Sequence, residues 1–380
     1  MSSALLDLPG AVSRVTQPGG LQKGIQGLVQ HETAATSDPD DAIAWHYGDP
    51  IGEQRAAEDR SALFDLSHRE VLAITGEDRL SWLHTLTTQA LDTATDGTVT
   101  QALLLSPTGH VEHQMGVTVL GDTVYLDTEP GRGEALRAFL ESMKFWSKVE
   151  IGETDLGLLR ITGPERAFAG APEIGAASLP EIDGFGRVSG TAIEIAVPAG
   201  RIGAVAAGIV AAGTRAAGSW AADALRIPTR EPRLGIDTDE RTIPNETGWL
   251  ESAVHLNKGC YRGQETVARV NNLGRPPRRL VMLNLDGSVD RLPANGSAVL
   301  TVDGGRQVGR VGSVGYHHEL GPIALALIKR TLPVDTPLLA DGVDALIDPD
   351  GYADAADSGT EGGSPRSAID RKALPNIRRR

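Results

Sequence analysis

Cysteine is all but missing from this sequence: Cys260 stands alone among 380 residues. A lone thiol excludes an internal disulfide framework and fits a reducing compartment. It cannot build a metal centre by itself, because zinc and iron–sulfur sites take about four ligands. Positive charge is short as well. With 50 acidic side chains against 36 Lys and Arg, the formal net charge is −14. Gripping phosphate backbones requires a basic face, so direct nucleic-acid binding is not expected. No apolar run approaches the roughly 18 residues that cross a bilayer. Residues 1–20 lack a basic start followed by a long apolar stretch, so neither a membrane partner nor a secretory leader is expected. The cytoplasm is the expected location. Aromatics reach only 4%, and that scarcity points to no function.

What is present is an ordinary globular composition, 40% apolar and 23% charged, on a chain long enough for two or three domains. The expected fold class is α+β. Residues 1–41 are rich in Gly, Thr, Ser, Pro and Asp and read as a flexible arm with room for one short strand. Residues 347–380 read as a disordered, solvated tail with a basic close. Between them, residues 42–150 and 151–275 each mix helices with antiparallel strands. After Pro276-Pro277, residues 276–346 hold short strands spaced by Gly, Asp, Asn and Pro, the texture of a small β-barrel.

Within the first stretch, helices are expected over residues 53–63, behind Asp78, and over residues 133–146. The Ser106-Pro107-Thr108-Gly109 turn should join strands 101–105 and 111–120 as a hairpin. In the second, helices are expected from Gly163-Pro164, over residues 201–212, and from a Ser219 cap to a stop at Pro228.

Residues 255–279 show little amphipathic periodicity, yet they are dense in polar and glycine residues. Lys258 and Arg262 bracket Cys260, and adjacent cations favour the thiolate, the nucleophilic and metal-binding form. Gly259 and Gly263 permit close backbone approach to a ligand. Gln264 and Glu265 offer an amide and a carboxylate that match the edge of a pterin ring. Arg275, Arg278 and Arg279 form a cationic cluster able to hold carboxylates or phosphates. Each has a plain alternative: a buried small side chain for the cysteine, turn residues for Gln264 and Glu265, solvated surface for the arginines.

Other candidates are weaker. His317-His318 lacks Cys or Glu at ligand spacing apart from Glu319, and is expected on a surface or loop. The adjacency of Asp65, Ser67 and His68 is no evidence of triad geometry. His113 reads as a strand residue before it reads as a pocket ligand.

The run Lys258-Gly259-Cys260-Tyr261-Arg262-Gly263-Gln264-Glu265, followed by Val267, Arg269 and Gly274, resembles the signature of the YgfZ family, relatives of the glycine-cleavage T-protein. The likeness extends to Leu63-Phe64-Asp65-Leu66-Ser67-His68, to Pro232-Arg233-Leu234-Gly235, to Pro244-Asn245-Glu246 and to Gly312-Ser313. It covers about residues 42–345. It implies a T-protein-like fold, two mixed α+β domains and a C-terminal β-barrel around a central opening that accepts tetrahydrofolate. The implied function is a folate-binding accessory protein in iron–sulfur cluster assembly or repair, acting through Cys260. Lys258, Gly259, Tyr261, Arg262, Gly263, Gln264, Glu265 and Arg269 would then lie at the folate. Any cluster would be transient and shared with a partner protein that supplies the other ligands. A link to tRNA modification would be indirect, through iron–sulfur clients.

The alternative carried by the same resemblance is a folate-dependent aminomethyl or methyl transferase. The T-protein sets a carboxylate, one of a pair of aspartates after a Gly-rich turn, against the folate nitrogen that receives the one-carbon unit. Here His113 and Gln114 stand at that place. Glu112 is one position off and points to the opposite strand face from its neighbour. Aminomethyl transfer of the T-protein kind is therefore not expected, which leaves Glu112 or Glu265 as another base.

Overall fold

Short alternations of apolar and polar residues become strands in the computed structural model, which describes residues 3–14, 39–289, 291–303 and 305–350. β1 (Val12–Ser13) pairs with β2 (Ala44–His46), and α1 (Pro50–Asp59) follows. β3 (Ala62–Leu66) and β4 (Glu70–Thr75) then part into different sheets. α2 (Arg79–Leu86), β5 (Val99–Leu105), β6 (Val111–Leu120), β7 (Thr123–Thr128), α3 (Gly133–Ser142) and β8 (Glu150–Glu153) complete the first layer. Its sheet is antiparallel, in the order β5-β6-β7-β4-β8.

The second half supplies β9 (Leu156–Thr162), β10 (Ala176–Leu179), β11 (Gly184–Ser189), β12 (Ala192–Pro198), α4 (Ala199–Ala211), β13 (Arg215–Ala217) and α5 (Ser219–Thr229). Its sheet runs β10-β11-β12-β9-β3-β13, so β3 crosses over from the first half to lie between β9 and β13. After α6 (Trp249–Ala253) and α7 (Gln264–Leu273), six strands close a barrel: β14 (Arg278–Leu285), β15 (Ala298–Thr301), β16 (Gln307–His317), β17 (Gly321–Lys329), β18 (Leu338–Ala340) and β19 (Val343–Ile347).

The two sheets pack face to face between helices. Leu72, Ile74, Met115, Val117 and Leu126 turn outward onto Trp82 and Leu83 of α2 and Leu136 and Leu140 of α3. Leu159, Ile161, Ile195 and Val197 turn the other way, onto Ile202, Ala206 and Ile209 of α4. Val71, Leu158, Phe185 and Ala196 meet between the sheets. Burying these side chains contributes about 25 cal/mol per Å2 of apolar surface and sets the strand faces.

The space between the sheets also holds charge. Arg187 on β11 reaches Asp127 on β7 at 2.6 Å, Thr118 at 3.0 Å and Glu194 at 2.7 Å. Arg69 binds Asp127 and Glu129, and Arg233 binds Glu129 and Asp40. Burial alone would raise the Asp127 carboxyl; Arg187 and Arg69 more than offset it and hold it well below the usual range. Pairing is what makes such burial tolerable.

Several expectations change. The helix placed over residues 53–63 ends at Asp59, with Asp49 capping its start by accepting from the Gly52 N–H at 3.0 Å. Leu63 and Phe64 are buried on opposite faces of β3, one toward α4 and one toward α5, so a doubly covered strand reads in sequence as one continuous apolar run. No helix begins at Gly163-Pro164. Gly163 sits at φ +103°, and the chain turns against the Arg60 carbonyl. Gly218, not Ser219, is the N-cap of α5, and that helix continues through Pro228 to Thr229.

Residues 3–14 hold a 3-10 turn and β1, whereas the rest of the expected arm (1, 2 and 15–38) and residues 351–380 of the expected tail lie outside the described residues. Among the described residues no helix is long and apolar enough to cross a membrane.

Candidate functional site

The segment between α5 and the barrel runs across the inner face of β5. Tyr261 and Val267 are buried there with Leu103, Leu105, Val111, Leu234 and Trp249. That packing makes Tyr261 a core residue, and burial pushes its hydroxyl up to about 12. Lys258 is buried too. Its Nζ donates to the carbonyl oxygens of His84, Thr87 and Gln89, at 2.6 Å for Thr87 and 3.1 Å for Gln89. These are carbonyls at and just beyond the C-terminus of α2, which have no helical partner and face a cation favourably. Burial pulls the Lys258 ammonium down to about 8, while its three carbonyl acceptors favour the charged form.

On the other side of the cysteine, Arg262 reaches Glu112 at 3.0 Å and lies over the Phe139 ring at 5.4 Å. Gly263 takes φ +79°, and a Cβ there would fall 2.5 Å from the Ser106 carbonyl and 2.8 Å from the Gly109 Cα. Only glycine fits, because the backbone docks directly on the hairpin turn. Thr266 donates to the Thr108 carbonyl at 2.8 Å and secures the start of α7. Between these anchors Cys260 is a free, exposed thiol beside an exposed Gly259.

The remaining signature residues separate. Gln264 is half-buried at the start of α7. Glu265 and Arg269 pair with each other on its exposed face, one turn apart. Arg275, Arg278 and Arg279 do not form one patch: Arg278 binds Asp239 and Glu246, whereas Arg279 donates to the Leu332 carbonyl at 3.1 Å.

A cavity of about 940 Å3 opens where the hairpin, the connecting segment and the barrel meet. Ser106, Thr108, His110 and Glu112 line it from the hairpin, Arg132 from the loop before α3, Leu234 to Arg241 in part from the connecting segment, and Arg278 and Arg310 from the barrel. Residues 258–265 and Arg269 are not among its lining, and Glu112 is the link: it faces the cavity and holds Arg262. Arg278 makes paired bonds to Asp239 (2.6 and 3.1 Å) and to Glu246 (2.8 and 2.7 Å). Burial would raise Asp239, but the bonds from Arg278 and Thr242 take it down to about 2.

The strict alternation expected of β6 is broken at its start. His113 pairs with Leu104 and Val111 with Leu105, a bulge at Glu112, so Val111 packs with Leu103 and Leu105 whereas Met115 packs with Leu72 and Leu126. His113 stands against Phe139 at 6.4 Å between ring centres, with no partner for Nδ1. Burial, assisted by the Arg132 charge, pushes it down to about 4, so it is neutral.

Asp65, Ser67 and His68 make no triad: Asp65 accepts the Ser67 N–H at 2.8 Å, and His68 turns away to Asp40 at 3.0 Å. The fold does give His317 and His318 a carboxylate that local spacing lacks. Glu58 of α1 lies 2.6 Å from His318 Nε2 and 3.8 Å from His317 Nε2, and the three offer ligand atoms within 4.8 Å of one another. However, His317 Nδ1 accepts the N–H groups of Glu319 (3.1 Å) and Leu320 (3.3 Å), so its proton sits on Nε2, the nitrogen a metal would need bare. With Gln54 bonded to the Tyr316 carbonyl at 2.8 Å, the cluster reads as a latch between α1 and the barrel.

Arg132, Asp239 and Arg310 were not singled out from sequence. The one available signal was Pro130-Gly131-Arg132-Gly133, a charged residue inside a glycine turn between a strand and a helix.

Comparison with known proteins agrees with this architecture. Residues 43–168 match the GCVT N-terminal domain family. A chloroplastic protein of Arabidopsis thaliana, At1g60990, named only by class as a transferase, is 26% identical over 300 residues, 70% of this chain and 65% of that one. An aminomethyltransferase of Chromobacterium violaceum is 30% identical over 222 residues, 53% of this chain and 61% of its own. In both cases the match spans less than two thirds of the relative. The crystal structure of the glycine cleavage system aminomethyltransferase T from Bartonella henselae superposes with a TM-score of 0.71 over 82% of this chain and 91% of that one, at 22% identity. The fold is therefore that of the glycine-cleavage T-protein: mixed α+β sheets plus a closed six-stranded barrel.

Proposed function

We propose that this chain is a YgfZ-type protein that binds a tetrahydrofolate in the cavity and uses the Cys260 thiol to assist iron–sulfur cluster assembly or repair. The observation that carries the reading is the placement of Glu112, which lines the cavity and also anchors Arg262, two residues from an exposed thiol. At about 940 Å3 the cavity matches the size of small-molecule sites. Glu112, His110 and Asp239 offer acceptors there, and Arg132 and Arg310 offer donors. When bound, a reduced folate supplies nitrogens that carry one-carbon units.

Cys260 provides one thiolate where a cluster takes about four ligands. A cluster is therefore cargo completed by a partner's ligands. Effects on tRNA modification would pass through iron–sulfur clients, and the cytoplasm remains the proposed location.

One-carbon transfer is the second reading, favoured by the Glu112 carboxylate in the cavity. Glu265 does not support it, since it is exposed and paired with Arg269.

Calorimetric titration with tetrahydrofolate, coupled to rescue of iron–sulfur enzyme activity in cells lacking the protein, tests the proposal. Cys260→Ala is expected to keep folate affinity within about twofold, which is about 0.4 kcal/mol, and to lose rescue. Full rescue by Cys260→Ala removes the role of the thiol. Absence of folate binding removes the ligand. Turnover of a methylene- or aminomethyl-folate that disappears in Glu112→Gln establishes the transferase reading instead.

A further inference from the structure

The charges lining the cavity are unequally neutralised. Glu112 is held by Arg262, and Asp239 by Arg278. Glu240 and Arg241 are exposed beside each other on the rim. Arg310 donates to the carbonyls of Ile236 (3.2 Å) and Thr238 (2.9 Å), which carry no charge to cancel its own. Arg132 makes no side-chain hydrogen bond or ion pair among the described residues.

Its isolation has a structural cause. The acidic groups just before it in the chain are already engaged: Glu129 by Arg69 and Arg233, Asp127 by Arg69 and Arg187. Glu70 accepts the Gly133 N–H at 2.7 Å. The base of the Arg132 side chain is fixed at the head of α3, its N–H donating to Glu129 O at 3.2 Å and its carbonyl accepting from Leu136 at 3.0 Å. The guanidinium lies against Gly235, where a Cβ would come 2.4 Å from Nη2. Gly235 leaves the space that lets Arg132 reach the cavity wall.

We infer that Arg132 is the recognition group of an anion subsite in this cavity, taking a carboxylate or phosphate of the ligand. A partly buried guanidinium without acceptors has lost water and gained nothing in return, and a planar oxyanion restores both charge and hydrogen bonds through a paired contact. Neutral His113 adds no competing cation on that side. The inference rests on the cavity being the ligand site and adds the chemical class that it selects. For a reduced folate, the group selected is the glutamate tail rather than the ring.

The test is calorimetric titration of wild type, Arg132→Met and Arg132→Lys with four probes: tetrahydrofolate, its triglutamate form, 6-methyltetrahydropterin, which lacks carboxylates, and inorganic pyrophosphate. Arg132→Met is expected to weaken the carboxylated probes and pyrophosphate about tenfold or more and to leave the bare pterin within about twofold. Arg132→Lys should recover part of the loss, since it keeps the charge and loses the fork. Equal weakening of the bare pterin overturns the inference, as does anion binding indifferent to Arg132→Met. Wild type that binds pyrophosphate through Arg132 but no folate upholds the anion subsite and sinks the folate reading. Folate binding unaffected by Arg132→Met does the reverse. Failure of every probe to bind wild type overturns both.

Discussion

Two polar regions of this protein contrast sharply. Between the sheets, Arg187, Asp127, Glu194 and Glu129 are buried, with Arg69 and Arg233 partly buried beside them, and the six are matched donor to acceptor. At the Cys260 turn, the thiol is exposed, and only its neighbours are tied down: Lys258 to three carbonyls, Arg262 to Glu112. The first region has the larger charge density and the stronger perturbation of carboxyl titration, yet its carboxylates are buried. The second shifts Lys258 and Tyr261 and presents an exposed thiol. Strong electrostatics marks a site only where a ligand can arrive.

The contrast breaks most visibly at Arg187. Arg187→Met strands Asp127 and Glu194 in a dry interface, and removing one partner of a buried pair costs about 3–5 kcal/mol. Urea unfolding should show that loss with an unchanged slope. Loss below about 1 kcal/mol would mean that water reaches the band.

Lys258→Met should have an intermediate effect, roughly 1–3 kcal/mol for buried carbonyls left without a donor. Its distinguishing readout is local. Alkylation of Cys260 should change several-fold in rate, because the turn loses its strut, whereas Arg187→Met should alter it only through global unfolding. Equal thiol reactivity in wild type and Lys258→Met would show that the turn holds its own shape.

His113 sharpens the comparison through pH. Its pKa falls from 6.5 to about 4 on folding, so the unfolded chain binds a proton that the native protein refuses. The native state keeps its full advantage above pH 6.5 and loses it as the pH drops toward 4, by at most about 3–4 kcal/mol at 1.36 kcal/mol per unit. His113→Phe should flatten that part of the stability profile, measured by thermal melts between pH 7 and pH 4.5. An unchanged slope would place the acid sensitivity elsewhere.

How much of this was legible follows from how local each feature is. The β5–β6 hairpin and the barrel after Pro276-Pro277 rest on turn chemistry and a two-residue period, and both are present, whereas the bulge at Glu112 that breaks the β6 alternation is not encoded in that period. α7 was not visible, because its polar, glycine-flanked sequence hides the few positions, such as Val267, that pack inward. The insertion of β3 between β9 and β13 is set by pairing across about 100 residues, which no local pattern encodes. The same holds for the site. The exposure of Cys260 agreed with its charged, glycine-rich surroundings, but the Lys258 strut, the Glu112–Arg262 tie and the lone Arg132 each depend on partners brought in by the fold.

Glu265 marks the lower limit of the comparison. Sequence alone made it a candidate for the pterin edge and for a catalytic base. In the fold it sits on the exposed face of α7, paired one turn along with Arg269 and outside the cavity lining. Exposed pairs at this spacing are worth about 0.3–0.5 kcal/mol, less in salt. Glu265→Gln should therefore leave stability nearly unchanged and folate affinity within about twofold, or about 0.4 kcal/mol, with Glu112→Gln as the contrasting variant because it releases Arg262 and alters the cavity wall. A tenfold loss of affinity in Glu265→Gln, with Glu112→Gln intact, would move the ligand to the surface of α7 and detach the function from the cavity.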